Sequence, residues 1–219
     1  QDFIEFAFPH SLAFTFFPAW LVGLLQCFGQ VKIRLIALNV HDAAMRLVEG
    51  GCDLLIAYHH PSQPLQLDAA RYDMVVLGEE VIAPYAKPGP DGNPLFQLPG
   101  HVNRPLPYLG YAPGAYLGAV TDWMLKQSQT PIHLDRVYET DMAEGLKAMA
   151  MEGHGVAFLP SSAVRKELQT GQLVSASGQS MLPSLSMQVR AYRAHPGSRG
   201  LAKRSVQDLW DFLIRQHSK

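Results

Sequence analysis

The stretch at residues 138–160, YETDMAEGLKAMAMEGHGVAFLP, constrains the fold more than any other part of the chain. Asp141 opens a helical pattern and Glu144 follows three residues later. That spacing is close to a capping box, in which side chains at a helix start satisfy its free N–H groups. Met142, Leu146 and Met149 fall at i, i+4 and i+7 and predict one apolar face. Gly153 and Gly155 end the helix, because glycine accepts the left-handed backbone of a helix stop. Val156, Ala157, Phe158 and Leu159 form a short apolar run closed by Pro160, the pattern of a strand buried on both faces. With a strand ahead of Tyr138, the unit is strand, helix, strand: the crossover of a parallel sheet. No turn in it carries catalytic chemistry, and it reads as the floor of a binding cleft.

The same plan occurs near the start. Residues 3–8 read as a strand and Pro9-His10-Ser11 as a turn, with Ser11 as the N-cap of a helix running towards Phe28. Pro18 predicts a kink in that helix, where the bond to Phe14 is lost. Residues 31–36 alternate as a half-exposed strand. A helix from Asn39 or Val40 follows, with Ala44, Leu47 and Val48 inward, stopped at Gly50-Gly51. Residues 52–58 are a buried strand. The loop from His59 to Pro64 breaks this order. Residues 72–77, 81–85, 107–111 and 132–138 read as strands, with a surface turn at 88–92. A helix opens at Gly114 or Ala115 and runs through Val120, Met124 and Leu125. After Pro160, Ser161 caps a helix through Val164 and Leu168 that Gly171 ends, and Leu173-Val174 is a short strand. Residues 187–192 alternate as a strand, and Val206, Leu209, Trp210 and Leu213 mark the inner face of a last helix. Two α/β lobes follow, joined near residues 59–80, with a return crossing near Pro183.

A length of 219 residues fits one large domain or two small ones. A net charge of −1 marks the chain as neither a nucleic-acid nor a membrane binder as a whole. Residues 3–28 are very apolar, but Glu5, His10 and Pro18 argue against a membrane span, and no secretion signal is visible. Cys27 and Cys52 read as small core residues, with redox sensing as the sharper alternative.

Candidate chemistry is sparse. His59 and His60, with His10, are the first cluster to test as proton carriers or metal ligands. Neighbours on an extended chain point to opposite sides, and no Asp, Glu or Cys stands at ligand spacing, so a polar contact at a cleft mouth is favoured and no metal is expected. Ser11 and Ser161 read as helix caps and Ser162 as a first-turn residue, since none lies in a nucleophile-elbow frame. The cap explains Asp141, and Glu139 reads as solvent-facing. No phosphate-loop or dinucleotide motif is present, and no cofactor is expected. What remains are helix starts at strand ends: His10-Ser11-Leu12, the turn 110–114, and Thr140-Asp141-Met142. Their exposed N–H groups favour an anion, and three of them on one cleft is the usual ligand position of open α/β sheets. Met142, Met149 and Met151 read as core filling, with oxidation sensing as the alternative.

This pattern resembles the effector-binding domain of LysR-type bacterial transcriptional regulators. Phe17-Pro18-Ala19-Trp20-Leu21 matches the family's apolar-Pro-x-x-Leu, and residues 47–54, LVEGGCDL, resemble its L-x-x-G-x-x-D-L. Residues 153–160, GHGVAFLP, match its G-x-G-[IV]-x-x-L-P closely. Gly171 and Leu173 match the G-x-L that follows. The resemblance implies an α/β fold of two Rossmann-like lobes joined by a two-strand hinge, like type 2 periplasmic binding proteins. Lobe I would hold residues 1–77 and 184–219, and lobe II residues 78–183. It implies a small-molecule effector bound between the lobes by His10, Ser11, Leu12, His59, His60, Ala112, Gly114, Ala115, Tyr116, Thr140, Asp141 and Met142, with Phe158 near the floor. It implies an antiparallel homodimer through Trp20, Leu24, Val31, Ile33 and Leu35, and a tetramer at full length. A DNA-binding winged helix-turn-helix would be absent from this chain, and the setting would be the cytoplasm, without membrane. Within the family, His10-Ser11-Leu12, Tyr116-Leu117-Gly118 and residues 170–174 are similar to the hypochlorite-responsive regulators, where Met142 would match a methionine position.

The leading function is therefore the sensory domain of a transcription regulator. The alternatives are a redox sensor through methionine oxidation, a periplasmic solute-binding protein on the same two-lobe plan, and an enzyme on that fold. The lack of any paired acid, nucleophile or cofactor motif argues against the enzyme.

Overall fold

The structure is a computed structural model that describes residues 2–178, 182, 185–197 and 203–218. The chain divides into two compact units, Gln1–Glu79 with Gln188–Lys219, and Glu80–Met187. The lobe boundary read at residues 183 and 184, and the return crossing near Pro183, lie outside the described residues.

The first unit begins with β1 (Ile4–Pro9), α1 (His10–Thr15), α2 (Phe17–Phe28), β2 (Ile33–Leu38), α3 (Val40–Val48) and β3 (Leu54–His59). The chain leaves it within β4 (Tyr72–Ala86). The second unit follows with β5 (Leu106–Tyr111), α4 (Tyr116–Lys126), β6 (Leu134–Thr140), α5 (Ala143–Met151), β7 (Val156–Pro160), α6 (Ser161–Gln169) and β8 (Val174–Ser175). The chain returns within β9 (Leu185–Ala194), and α7 (Arg204–His217) closes the first unit. The units share one plan. In the first, β1 pairs parallel with β2 and β3, and β9 lies antiparallel on β3. In the second, β5 pairs parallel with β6 and β7, and β4 lies antiparallel on β7.

Both faces of the central strand of the first unit are covered. Phe6 and Phe8 meet Phe17 of α2, with ring centroids 6.0 and 4.7 Å apart. On the other face Ala7 joins Ala43 and Leu47 of α3, Leu55 and Ala57 of β3, and Tyr192. Each large side chain so buried contributes about 1.5–3 kcal/mol. The inner face of α7 is Val206, Leu209, Trp210 and Leu213, as its spacing predicts. Asn39 caps α3, its side chain accepting from the Asp42 N–H at 2.8 Å.

Several local expectations are corrected. The first helix is two helices that break at Phe16, not one kinked at Pro18. Pro18 lies in the first turn of α2, where its missing N–H has no intrahelical acceptor to lose. Residues 72–77 and 81–85 belong to one strand of 15 residues, because Gly78, Glu79 and Glu80 continue the ladder. Asp141 does not cap α5. β6 stays paired with β5 through Thr140, so the helix opens one residue late, with Met142 at the cap position and no side-chain cap bond. Its buried face is consequently Ala143, Leu146 and Ala150 rather than Met142, Leu146 and Met149. Ser11 and Ser161 are not N-caps either; Pro9 and Pro160 hold those positions, because each strand runs straight into its helix. Cys52 is buried, but Cys27 is exposed on α2 and is no core residue.

Gly155 lies where α5 gives way to β7, and a β-carbon there would sit 2.5 Å from the Pro107 carbonyl oxygen of β5. Gly155→Ala should cost about 1–3 kcal/mol, the range for forcing extra volume into a packed site. Urea unfolding at constant m-value measures it; an unchanged midpoint would contradict this packing.

Candidate functional site

In the first unit the carboxyl end of β1 runs directly into α1. His10 is its first residue and is half-buried, Ser11 is 6% exposed, and Leu12 is fully buried. Leu12 therefore belongs to the core, and its carbonyl accepts from the Phe16 N–H at 3.2 Å. Thr15 donates its hydroxyl to the Ser11 carbonyl at 2.8 Å. His59 ends β3, opposite Gln188 of β9. His60 is buried and engaged by its own turn: its Nδ1 accepts from the Ser62 N–H at 3.1 Å and lies 2.6 Å from the Ser62 hydroxyl. Burial lowers the pKa of both imidazoles below the ordinary histidine value, and the nearby Arg190 guanidinium and His60 lower His59 further.

In the second unit two sequence-predicted turns come together. Tyr111 and Thr140 are partners at the ends of neighbouring parallel strands, and the Ala112 N–H donates to the Thr140 carbonyl at 2.9 Å. Gly114 adopts φ +86°, a conformation that favours glycine, and so aims the chain into α4. Ala115 is the N-cap of α4 and Tyr116 its first residue, with no side-chain cap. Asp141 is exposed and Met142 half-buried at the start of α5. Phe158 lies in the core. Its ring meets Tyr108 edge to face at 5.9 Å, and its carbonyl accepts from the Tyr111 hydroxyl at 2.8 Å. It thus holds Tyr111 in place beneath the turn and has no accessible surface of its own.

The N-cap residues of α1, α4 and α5 supply no side-chain cap, although the Thr140 hydroxyl accepts from the Met142 N–H at 3.5 Å ahead of α5, and the start of α6 is served from a distance. Glu80, only 2% exposed, accepts from the Ser161 hydroxyl and the Ser162 N–H, each at 3.0 Å. A carboxylate at a helix start is favoured by the free N–H groups and the helix dipole. Sequence reasoning missed Glu80 because its partners lie 81 and 82 residues away. It also missed Arg190, which reads as one outward residue of an alternating strand.

Among the described residues no group of three or more His, Cys, Asp or Glu side chains could hold a metal ion. Burial pushes the Cys52 thiol up to about 12, with Asp53 adding to it, so Cys52 stays a protonated core residue. Of the residues read as a dimer surface, Leu24 is turned into its own core at 4% exposure. Trp20, Val31, Ile33 and Leu35 are half-buried, and Val22 beside them is 57% exposed. A cavity of about 100 Å³ lies at the opposite, amino end of the first unit's strands, lined in part by Ile4, Val31, Lys32 and Ser205.

Two α/β units of one plan, linked by two strands, define the type 2 periplasmic-binding-protein-like class. A family model described as the LysR substrate binding domain matches residues 3–218, and the chain belongs to that family. It is the effector-binding domain of a LysR-type transcriptional regulator, and this is not a family of enzymes. It is 27% identical over 214 residues to the HTH domain-truncated transcriptional regulator QseD of Escherichia coli O157:H7, covering 98% of this chain and 83% of that one. It is 26% identical to the HTH-type transcriptional regulator YjiE of Escherichia coli K12, covering 98% of this chain and 66% of YjiE. The regulatory domain of HypT from Salmonella typhimurium in its apo form superposes with a TM-score of 0.81 at 25% identity, covering 100% of this chain and 96% of that one. Full-length HypT, a hypochlorite-specific LysR-type transcriptional regulator, gives 0.79 at 26% identity, covering 98% of this chain and 68% of HypT. No helix among the described residues is long and apolar enough to cross a membrane.

The depressed imidazoles set a pH dependence. His59 and His60 have folded pKa values below the unfolded 6.5, so the unfolded chain binds more protons and stability falls as pH drops through and below 6.5. Melting temperature measured from pH 7.5 to 5.5 should fall, and His59→Asn with His60→Asn should flatten the slope. An unchanged slope in the double variant would contradict the assignment.

Proposed function

We propose that this domain takes up a small-molecule effector at the carboxyl ends of its parallel strands. In the first unit the contacts are at His10 and Ser11, with Leu12 packed in the core behind them and His59 and His60 beside them. In the second unit they are the paired turns at Ala112, Gly114, Ala115 and Tyr116 and at Thr140, Asp141 and Met142. The observation that carries this reading is the Ala112–Thr140 hydrogen bond, which brings the starts of α4 and α5 to neighbouring strand ends. Effector binding biases the state of a homodimer, and DNA is contacted by a separate N-terminal winged helix-turn-helix in the cytoplasm. The dimer uses Trp20, Val31, Ile33 and Leu35 with the exposed Val22 of α2, and β2, which has β1 as its partner in the first unit, supplies a free edge.

Thermal unfolding against a panel of metabolites tests the effector reading. A ligand of this site raises the melting temperature in step with the logarithm of its concentration, and His10→Ala and Thr140→Ala each reduce the shift. If both variants respond like the native chain to a metabolite that stabilises it, these turns are not the site.

A second reading is favoured by the likeness to the hypochlorite-specific HypT and by the half-buried Met142 at the start of α5. Hypochlorous acid would transfer its oxygen to the Met142 sulfur, giving the sulfoxide and releasing chloride and a proton. Peptide mass spectrometry after mild hypochlorite should then find Met142 oxidised before Met149 and Met151. Equal oxidation of all three would remove this reading.

A further inference from the structure

Among the described residues Arg190 is a cation with no carboxylate paired to it. Along β9, Met187, Val189 and Ala191 are buried on one face, and Gln188, Arg190 and Tyr192 lie on the other. The register sets Gln188 against His59, Arg190 against Ala57, and Tyr192 against Leu55, so the guanidinium stands two residues in from the carboxyl end of β3. Arg190 is half-buried. Its Nε donates to the Gln188 side-chain oxygen at 2.7 Å, and the guanidinium also hydrogen-bonds the Tyr192 hydroxyl. These neutral contacts orient it and leave about three of its five N–H donors unspent. Among the described residues no carboxylate lies within ion-pair distance of it, whereas Arg193 is paired with Asp73 at 3.0 Å, Arg34 with Glu5 at 2.6 Å and Arg136 with Glu139 at 3.4 Å.

A half-buried guanidinium held by neutral contacts, with donors to spare, is placed to receive a planar anion. We propose that Arg190 anchors a carboxylate group of the effector, with Gln188 and Tyr192 positioning the guanidinium and His59 flanking it. The proposal rests on the effector reading above and names the ligand's chemistry within the first unit. The charged neighbours that bear on His59 are Arg190 and His60, and burial holds both imidazoles below the ordinary histidine value. The site therefore presents one positive charge, which suits a monocarboxylate better than a phosphate ester. The planar fork of Arg matches a carboxylate in a way that a lysine cannot.

Sodium acetate, pyruvate and benzoate, compared with acetamide and benzamide at matched ionic strength, are the probes. Calorimetry and thermal unfolding are run on the native chain, Arg190→Gln and Arg190→Lys, with the unliganded melting temperature and circular dichroism reporting the fold. At least one carboxylate should bind the native chain and its amide should not. Arg190→Gln should weaken binding tenfold or more, and Arg190→Lys should fall between. Should Arg190→Gln not fold, a lysine variant that binds as tightly as the native chain overturns the proposal. Equal carboxylate affinity in the native and Gln chains also overturns it. A neutral metabolite that stabilises both chains equally, with no carboxylate bound, overturns the anion assignment but leaves the effector reading standing. Silence toward carboxylates and the metabolite panel alike defeats both.

Discussion

Two parallel strands cannot be joined by a tight turn, so β1 reaches β2 through α1 and α2, and β2 reaches β3 through α3. The same rule sends β5 to β6 through α4 and β6 to β7 through α5. Each crossover covers a face of its sheet, which is why Phe6, Phe8 and Ala7 on β1, and all five residues of β7, are buried. Each also returns the chain to the same end of the sheet, so every helix after a parallel strand starts beside the others of its unit. The N–H groups gathered at those starts, and the turns that lead into them, are a consequence of the pairing and not an addition to it. The surface offered at the strand ends is thus set first by backbone geometry, and side chains refine it.

Buried polar groups then individualise the two units. In the second, Glu80 accepts from the hydroxyl of Ser161, and that hydroxyl accepts from the Val81 N–H at 3.2 Å. One carboxylate thereby ties the first residues of the unit to the start of α6. In the first, Asp73 receives Arg193 at 3.0 Å and His195 at 2.6 Å, and Arg193 lies over the Trp210 ring at 4.8 Å. These contacts join β4, β9 and α7, three elements remote in sequence. Arg190, on the same strand as Arg193, contrasts with it: both are oriented by hydrogen bonds, but among the described residues only Arg193 is paired with a carboxylate.

Much of the architecture was legible in local pattern. The helix start read at Asn39 or Val40 is real, with Asn39 as its cap, and the glycines at 153 and 171 mark real helix stops, each with φ well above zero. The family motifs at residues 17–21, 47–54 and 153–160 led to the family itself. The failures have one physical source. Asp141 and Glu144 have the spacing of a capping box, but the β5–β6 ladder holds the chain extended through Thr140, and tertiary pairing overrides the local option. Glu144 instead lies 3.3 Å from Lys147. Pro18 looks like a kink because sequence alone does not locate the break at Phe16. Of the candidate site, the strand-end turns were legible because glycine and helix periodicity announce them. Glu80 and Arg190 were not, since the partners that define them are set by sheet register.

Hydrogen exchange of backbone amides, with and without a metabolite that stabilises the chain, tests the central claim most directly. The account predicts slowed exchange at residues 10–12 and 59–60 in the first unit and at 112–116 and 140–142 in the second, all at the carboxyl ends of the parallel strands. Protection confined to the amino end of the first unit, around Ile4, Val31 and Ser205, would contradict it and move the effector to the small cavity there.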